Sequence, residues 1–294
     1  MKKSILLLIT LCVVLDIFAQ DVSEQLINTT IEIVGVKDSI VKGKTFTYYS
    51  TGTGFYFNFC KNGDTIPVIV TNHHVIKNCH SGYLRFKSYS NGKINYGDLM
   101  KIKVEKFESR WIKHPNEDLA IMPLIPLKNE VYNIFKKIPY SISFSETDIP
   151  SDSAANELLA IENIFMIGYP KGLSDDINDL PIVRKGITAT PVFKDFKGDK
   201  RFLLDIAIYP GSSGSPICIL NIGGGYADKR GNTIMGNRFY LLGIAVESNN
   251  YIAKGATTAN DSIPSLEVKT ELPYGVAIAI KSNRLFDFKK ILFK

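Results

Sequence analysis

The stretch Tyr209-Pro210-Gly211-Ser212-Ser213-Gly214-Ser215-Pro216 combines hydroxyls with glycines between two apolar runs, residues 202–208 and 217–220. Glycine at such a turn permits positive φ and close approach of the backbone, leaving a hydroxyl exposed and amide hydrogens free to point at a substrate. By itself the segment also reads as a Gly/Ser-rich surface hairpin. Two upstream stretches tip the reading toward chemistry. Thr71-Asn72-His73-His74-Val75-Ile76 follows the apolar run 66–70 and supplies imidazoles, and Glu117-Asp118-Leu119-Ala120-Ile121 opens another apolar run and supplies carboxylates. A hydroxyl, an imidazole to take its proton and a carboxylate to orient that imidazole are what acyl transfer by a serine needs.

The three stretches resemble those of trypsin-like serine proteases of the chymotrypsin fold. They are nearest to the bacterial HtrA-like branch, which reads Thr-Asn-x-His-Val at its base, Asp-(Ile/Leu)-Ala at its acid and Asn-Pro-Gly-Asn-Ser-Gly-Gly-Pro at its nucleophile. Weaker echoes at Ile167-Gly168-Tyr169-Pro170, Gly186-Ile187-Thr188-Ala189, Leu242-Gly243-Ile244 and Gly275-Val276-Ala277-Ile278 extend the similarity over residues 31–285. The chain order His, Asp, Ser is that of the chymotrypsin group, and no Gly-x-Ser-x-Gly elbow surrounds Ser213. The resemblance implies His74 as general base, Asp118 as the acid that orients it and Ser213 as nucleophile. The amides of Gly211 and Ser213 would form the oxyanion hole.

The resemblance also implies an all-β fold of two six-stranded antiparallel β-barrels, with a linker carrying short helices and a C-terminal helix. Its primary pocket would have Ala207 at the base, with Val246, Glu247, Ser248, Gly275 and Ala277 in the walls. That floor carries no charge, which predicts cleavage after small or medium apolar residues, with Glu247 near the rim. Two departures stand out. Ser212 replaces the acidic residue that pairs with a newly cut N-terminus in pancreatic relatives, and Ser215 replaces a second glycine after the nucleophile. A PDZ module, usual in HtrA-like proteases, is not expected to follow.

The elements that must position these residues are strands. Alternating and continuous apolar runs, separated by turn signals such as Asn62-Gly63-Asp64 and Asn91-Gly92, recur through both halves of the chain. They predict a first barrel at about residues 30–126 and a second at about 163–281, within a peptidase domain over 21–294. Between them, about 127–162 reads as a linker, with helical spacing at Val131, Ile134 and Phe135; a C-terminal helix is predicted at about 282–289. Residues 221–238 and 249–273 read as long connections flanking the cleft, and His114 as part of a surface loop. Asp205 reads as structural.

Composition narrows the classes. A chain of 294 residues with 45% hydrophobic content can bury a large core. Its net charge of +6 is spread along the chain with no basic stripe, so no nucleic-acid partner is expected. Lys2, Lys3, the apolar run 5–15 and the small-residue end at Phe18-Ala19-Gln20 read as a signal peptide over residues 1–20. Export to the periplasm or medium follows, with no stable membrane insertion afterwards; Cys12 lies inside the apolar run and is not read as a lipid anchor. A Cys60–Cys79 bridge is conceivable in an oxidising compartment, and the reading preferred for Cys60, Cys79 and Cys218 is that none is bridged. His73, His74, Cys79 and His80 lack standard zinc spacing, so neither metal nor other cofactor is expected. The expected partners are polypeptide substrates, and oligomeric state stays open. A second class remains: a binding module on a protease scaffold whose chemistry is silent or repurposed.

Overall fold

The computed structural model describes residues 21–256, apart from 172, 174 and 176, and residues 267–293; for 21, 247–256, 267–268 and 271–274 the backbone alone is described. The leader read at residues 1–20 lies outside the described residues.

After a short helix, Asp21–Ile27, the first lobe is built from β1 (Thr30–Val41), β2 (Lys44–Lys61), β3 (Asp64–Thr71), β4 (Ser81–Ser90) and β5 (Lys93–Glu105). The two-residue β6 (Ile112–Lys113) and then β7 (Ala120–Pro123) follow. Asn62-Gly63 joins β2 to β3 with φ of 52° and 90°, the backbone twist a two-residue hairpin requires. The strand order is β5-β4-β1-β2-β3-β7-β6. The stretch read as a linker also contributes, because β8 (Ile138–Pro139) pairs with β4 and β9 (Phe144–Ser145) pairs in parallel with β2. The sheet therefore has nine strands: the six expected and three two-residue additions.

The linker helix spans Leu124–Phe135, beginning seven residues before Val131, the first of the predicted helical positions. Pro126 lies in its first turn, where the missing N–H has no helical partner to lose, so the proline does not delay the helix.

The second lobe is a closed barrel of β10 (Asn163–Gly168), β11 (Ile182–Thr188), β12 (Arg201–Asp205), β13 (Pro216–Asn221), β16 (Arg238–Ala256) and β17 (Glu267–Lys281). A small hairpin, β14 (Gly225–Ala227) with β15 (Thr233–Met235), stands off it. Of the stretch 249–273, expected as a long connection, the described residues 249–256 and 267–273 extend the β16–β17 ladder, which runs out to the pair Ala256 and Glu267. A 3-10 helix, Ser282–Phe288, and a short α-helix, Lys289–Leu292, close the described chain. The architecture is the chymotrypsin-like pair of β-lobes.

Period-2 alternation in β2 and β3 serves two cores at once. Tyr56 and Ile69 face the interior of the first lobe with Ile33, Leu84 and Phe86. Their neighbours Phe55, Phe57, Phe59, Val68 and Val70 face the other way, onto Ile167, Leu241, Ile244 and Ile280 of the second barrel. Leu285 and Phe288 of the terminal helix complete this shared core, and a third cluster around Phe202, Leu204 and Leu242 fills the second barrel. The seam between the lobes is thus a hydrophobic core rather than a hinge.

Replacing Phe57, which is fully buried in the seam, by alanine should lower the unfolding free energy by about 3–5 kcal/mol in urea titrations. Phe46→Ala, at an exposed position, should change it by less than about 0.5 kcal/mol. Equal effects at the two sites would contradict a seam that carries stability.

Candidate active site

His74 is placed by what precedes and follows it. β3 ends at Thr71, and the one-turn helix His73–Ile76 buries Val75 and Ile76 in the first-lobe core, which turns His74 outward with its side chain 45% exposed. Antiparallel pairing of Thr71 with Ala120 sets the β6–β7 loop beside that turn. Asp118 then accepts from His74 twice: its Oδ1 takes the backbone N–H at 2.9 Å and its Oδ2 takes the ring Nδ1–H at 2.5 Å. Its main-chain carbonyl accepts from the Asn72 amide at 2.9 Å, so the loop and the turn are joined by backbone as well as side chain. Burial works to raise the Asp118 pKa, but the His74 ring and backbone N–H outweigh it and hold the carboxyl below its ordinary range.

The Asp118 loop has a second anchor. His114, expected in a surface loop, is fully buried, with its ring edge-on to Phe288. Its Nδ1 accepts the N–H groups of Asn116 at 3.1 Å and Glu117 at 2.9 Å, which fixes the neutral tautomer with the proton on Nε2. That proton faces the Arg284 carbonyl and Asp287, each at 3.2 Å. The imidazole is buried because its two nitrogens satisfy a tight loop on one side and the terminal helix on the other. A single polar residue before Pro115 gives no sequence signal of either partner.

Ser213 sits, partly buried, in the turn between β12 and β13. Gly211 and Gly214 flank it with φ of 93° and 87°. A Cβ on Gly214 would lie 2.0 Å from the Thr53 carbonyl, so the turn rests directly on β2 and admits no side chain there. Among the described residues, neither the Gly211 nor the Ser213 N–H donates a hydrogen bond. Both stand uncommitted, as an anion-binding pair must. The Ser213 hydroxyl donates to the Val246 carbonyl at 2.7 Å rather than to the His74 ring. The structure therefore joins His74 to Asp118 by direct contact and does not link Ser213 to His74 by a hydrogen bond.

Of the two sequence departures, Ser212 is hydrogen-bonded, whereas Ser215 fits sterically with its buried Oγ lacking a hydrogen-bond partner among the described residues. Ser212 is buried and its Oγ accepts from Arg184 Nη2 at 2.9 Å and from the Tyr209 N–H at 3.2 Å. Arg184 also donates to the Ala207 carbonyl at 2.8 Å and lies against the Tyr209 ring. Partial burial lowers its pKa, partly offset by Tyr209, and the guanidinium braces the segment 207–212 from beneath. As one residue in an alternating strand, Arg184 carries no motif, and sequence reasoning missed it. The extra side chain of Ser215 fits because Gly168 faces it; a Cβ there would lie 2.1 Å from the Ser215 Oγ.

The expected pocket is only partly assembled from its named residues. Ala207 is exposed, Val246 is buried, and Gly275 has φ 81° with open space where a side chain would be. Ala277 is fully buried in the core of the second barrel, level with Leu204 and Ser248 across the sheet. The side chains of Glu247 and Ser248 lie outside the described residues.

Cys60, Cys79 and Cys218 are free thiols, the first exposed and the others buried. Among the described residues, no three His, Cys, Asp or Glu side chains converge as metal ligands. His73 approaches Glu108 at 3.5 Å and His80 approaches Asp38 at 3.4 Å instead.

A family model described as trypsin-like peptidase domain matches residues 52–221, a span that holds the turn of His74, the Asp118 loop and the Ser213 turn. No curated protein matches the chain. Among solved structures, the inactive form of the Rv3671c protease is 13% identical, with 93% of each chain covered and a TM-score of 0.42. A serine-to-alanine mutant of Rv3671c from M. tuberculosis H37Rv, also an inactive form, is 12% identical over 94% of this chain and 92% of that one, with a TM-score of 0.41.

The lowered Asp118 pKa has a stability consequence with a definite sign. A carboxyl depressed on folding contributes stability above its unfolded value and loses it as pH falls through the folded value. The difference in unfolding free energy between wild type and Asp118→Asn should therefore shrink as pH drops below about 4, the ordinary carboxylate value. A difference that stays constant or grows toward pH 2 would contradict the contact.

Proposed function

The chain belongs to the trypsin-like peptidase domain family, and on that premise we propose that it is an exported serine endopeptidase using Ser213, His74 and Asp118. The observation that carries this reading is the two-point hold of Asp118 on His74, through Nδ1 at 2.5 Å and the backbone N–H at 2.9 Å. With Nδ1 donating to the carboxylate, Nε2 is left as the basic nitrogen, and it can take a proton from a hydroxyl.

In the proposed reaction the Ser213 Oγ attacks the scissile carbonyl as its proton passes to His74 Nε2. Asp118 stabilises the imidazolium that forms. Negative charge on the carbonyl oxygen falls to the free N–H groups of Gly211 and Ser213. Collapse of the tetrahedral species breaks the peptide bond, with His74 returning the proton to the leaving amine. Water then hydrolyses the acyl-enzyme by the same steps. Before the first step the Ser213 hydroxyl must leave the Val246 carbonyl and turn toward His74. The export part of the proposal rests on Lys2, Lys3 and the apolar run 5–15. The uncharged Ala207, which the resemblance puts at the pocket base, is the support for cleavage after Ala, Val or Leu.

The hydrogen bond from Ser213 to Val246 favours one alternative, a silent scaffold in which the hydroxyl is kept from its base and the surface serves recognition. Reaction with a fluorophosphonate probe separates the two. The endopeptidase reading expects one adduct, on Ser213, lost in Ser213→Ala; a wild-type protein that never labels supports the silent scaffold.

For an active enzyme, Ser213→Ala and His74→Ala should each abolish nearly all peptide turnover, and Asp118→Asn should reduce it by roughly 10⁴ through the wrong tautomer. His73→Ala should keep most activity, and a loss equal to that of His74→Ala would show that the pair has been read in the wrong order. Peptide-library profiling should give small or medium apolar residues before the cleaved bond, and a dominant preference for Arg or Lys would overturn that assignment.

A further inference from the structure

We infer that Thr53, a first-lobe residue, is the positioning residue of the Ser213 turn and holds the two peptide planes that bracket the anion-binding Ser213 amide. This rests on the proposed role of Ser213 and of the Gly211 and Ser213 N–H groups. Thr53 lies in β2, is fully buried, and spends every polar atom on holding chain segments together. Its N–H donates to the Ser213 carbonyl at 2.8 Å. Its hydroxyl accepts the Tyr169 N–H at 2.9 Å and donates to the Gly211 carbonyl at 2.9 Å. Its own carbonyl accepts from the Thr71 hydroxyl at 2.7 Å.

The direction of the hydroxyl bond is not free. Tyr169 N–H can only donate and Gly211 C=O can only accept, so the single hydroxyl proton points at Gly211. The Pro210 carbonyl is held as well, by the Lys171 N–H at 2.7 Å. In a trans peptide the C=O and the following N–H point in opposite directions. Fixing the Pro210 carbonyl toward Lys171 therefore aims the Gly211 N–H to the other side. The carbonyls of Gly211 and Ser213, fixed on Thr53, belong to the planes that carry the Ser212 and Gly214 N–H groups, and these two planes bracket the one that carries the Ser213 N–H. All four carbonyls from Pro210 to Ser213 are engaged, two of them by Thr53 and that of Ser212 by the Ser215 N–H at 3.0 Å, while the N–H groups of Gly211 and Ser213 remain unpaired among the described residues.

Valine has the shape of threonine without the hydroxyl. In Thr53→Val the Gly211 carbonyl and the Tyr169 N–H lose their shared partner inside a buried seam, and the turn has reason to rotate a peptide plane to recover one. The backbone bond from Thr53 N–H remains, so the fold should persist.

The test compares Thr53→Val with Thr53→Ser in the full chain. Thr53→Val should lose roughly 10²-fold in kcat, the scale for a misdirected oxyanion donor or a small misplacement, with KM within about twofold. Thr53→Ser, which restores the hydroxyl, should recover kcat to within about threefold, a rescue that a purely packing role would not produce. Crystal structures of wild type and Thr53→Val provide a readout independent of turnover, and the variant should show a reoriented Gly211 peptide with both barrels unchanged. If Thr53→Val keeps the wild-type turn, or keeps kcat, the inference is overturned. Should Thr53→Val fail to fold, Thr53→Ala read in the same two ways decides it. If wild type neither labels with fluorophosphonate nor cleaves peptides, the role proposed for Ser213 fails instead, and the two crystal structures still decide whether Thr53 holds the turn.

Discussion

Asp118 grips His74 at two points, and most of the first lobe can be read as the means of keeping that grip. A carboxylate bound only to the ring could swing with it; one that also accepts the backbone N–H at 2.9 Å fixes the ring relative to its own main chain. The grip requires the β3–β7 register, which brings the end of one strand and the approach to the other side by side. It also requires the loop 116–118 to hold its shape, and His114 provides for that by taking two of the loop's amides on one nitrogen. The terminal helix, which contacts the other side of His114, is thereby coupled to a carboxylate it never touches.

The nucleophile's turn belongs to the other lobe, so the site depends on the seam. β2 supplies both components of that seam. Its aromatic face builds the shared core, and Thr53, between Gly52 and Gly54, carries the hydrogen bonds to the turn. Gly214 marks how close the approach is, since the Thr53 carbonyl occupies the space a side chain would need. Arg184 supports the same turn from inside the second barrel through Ser212 and Ala207. The turn is thus braced from both lobes without an acidic residue before the nucleophile.

What was legible in the sequence and what was not divide along a physical line. The turn of Ser213, the helix start at His74 and the strand-edge Asp118 each announce themselves locally, through glycines, a polar stop after an apolar strand, and chain order. The strands of both lobes follow from alternation, and the Asn62-Gly63 hairpin from turn chemistry. The residues that hold the site were silent because their partners are remote: 158 positions separate Thr53 from Gly211, and 170 separate His114 from Arg284. Nothing beside them in the chain indicates either partner. His114 was misread for this reason, since a histidine before a proline resembles a loop residue until the terminal helix covers it. The strand extension over 249–256 and 267–273 carries no local signal, because it is made by the pairing of β16 with β17.

The resting position of the Ser213 hydroxyl, on the Val246 carbonyl, leaves the His74–Asp118 pair as the preassembled half of the site. The most direct test of that pair is proton NMR in water on the folded protein. The short contact between Nδ1 and the carboxylate should produce one far-downfield exchangeable resonance in wild type that couples to a ring nitrogen of His74. It should persist in Ser213→Ala and vanish in Asp118→Asn. Absence of that resonance from folded wild type at low temperature, or its survival in Asp118→Asn, would contradict the arrangement on which the proposed chemistry stands.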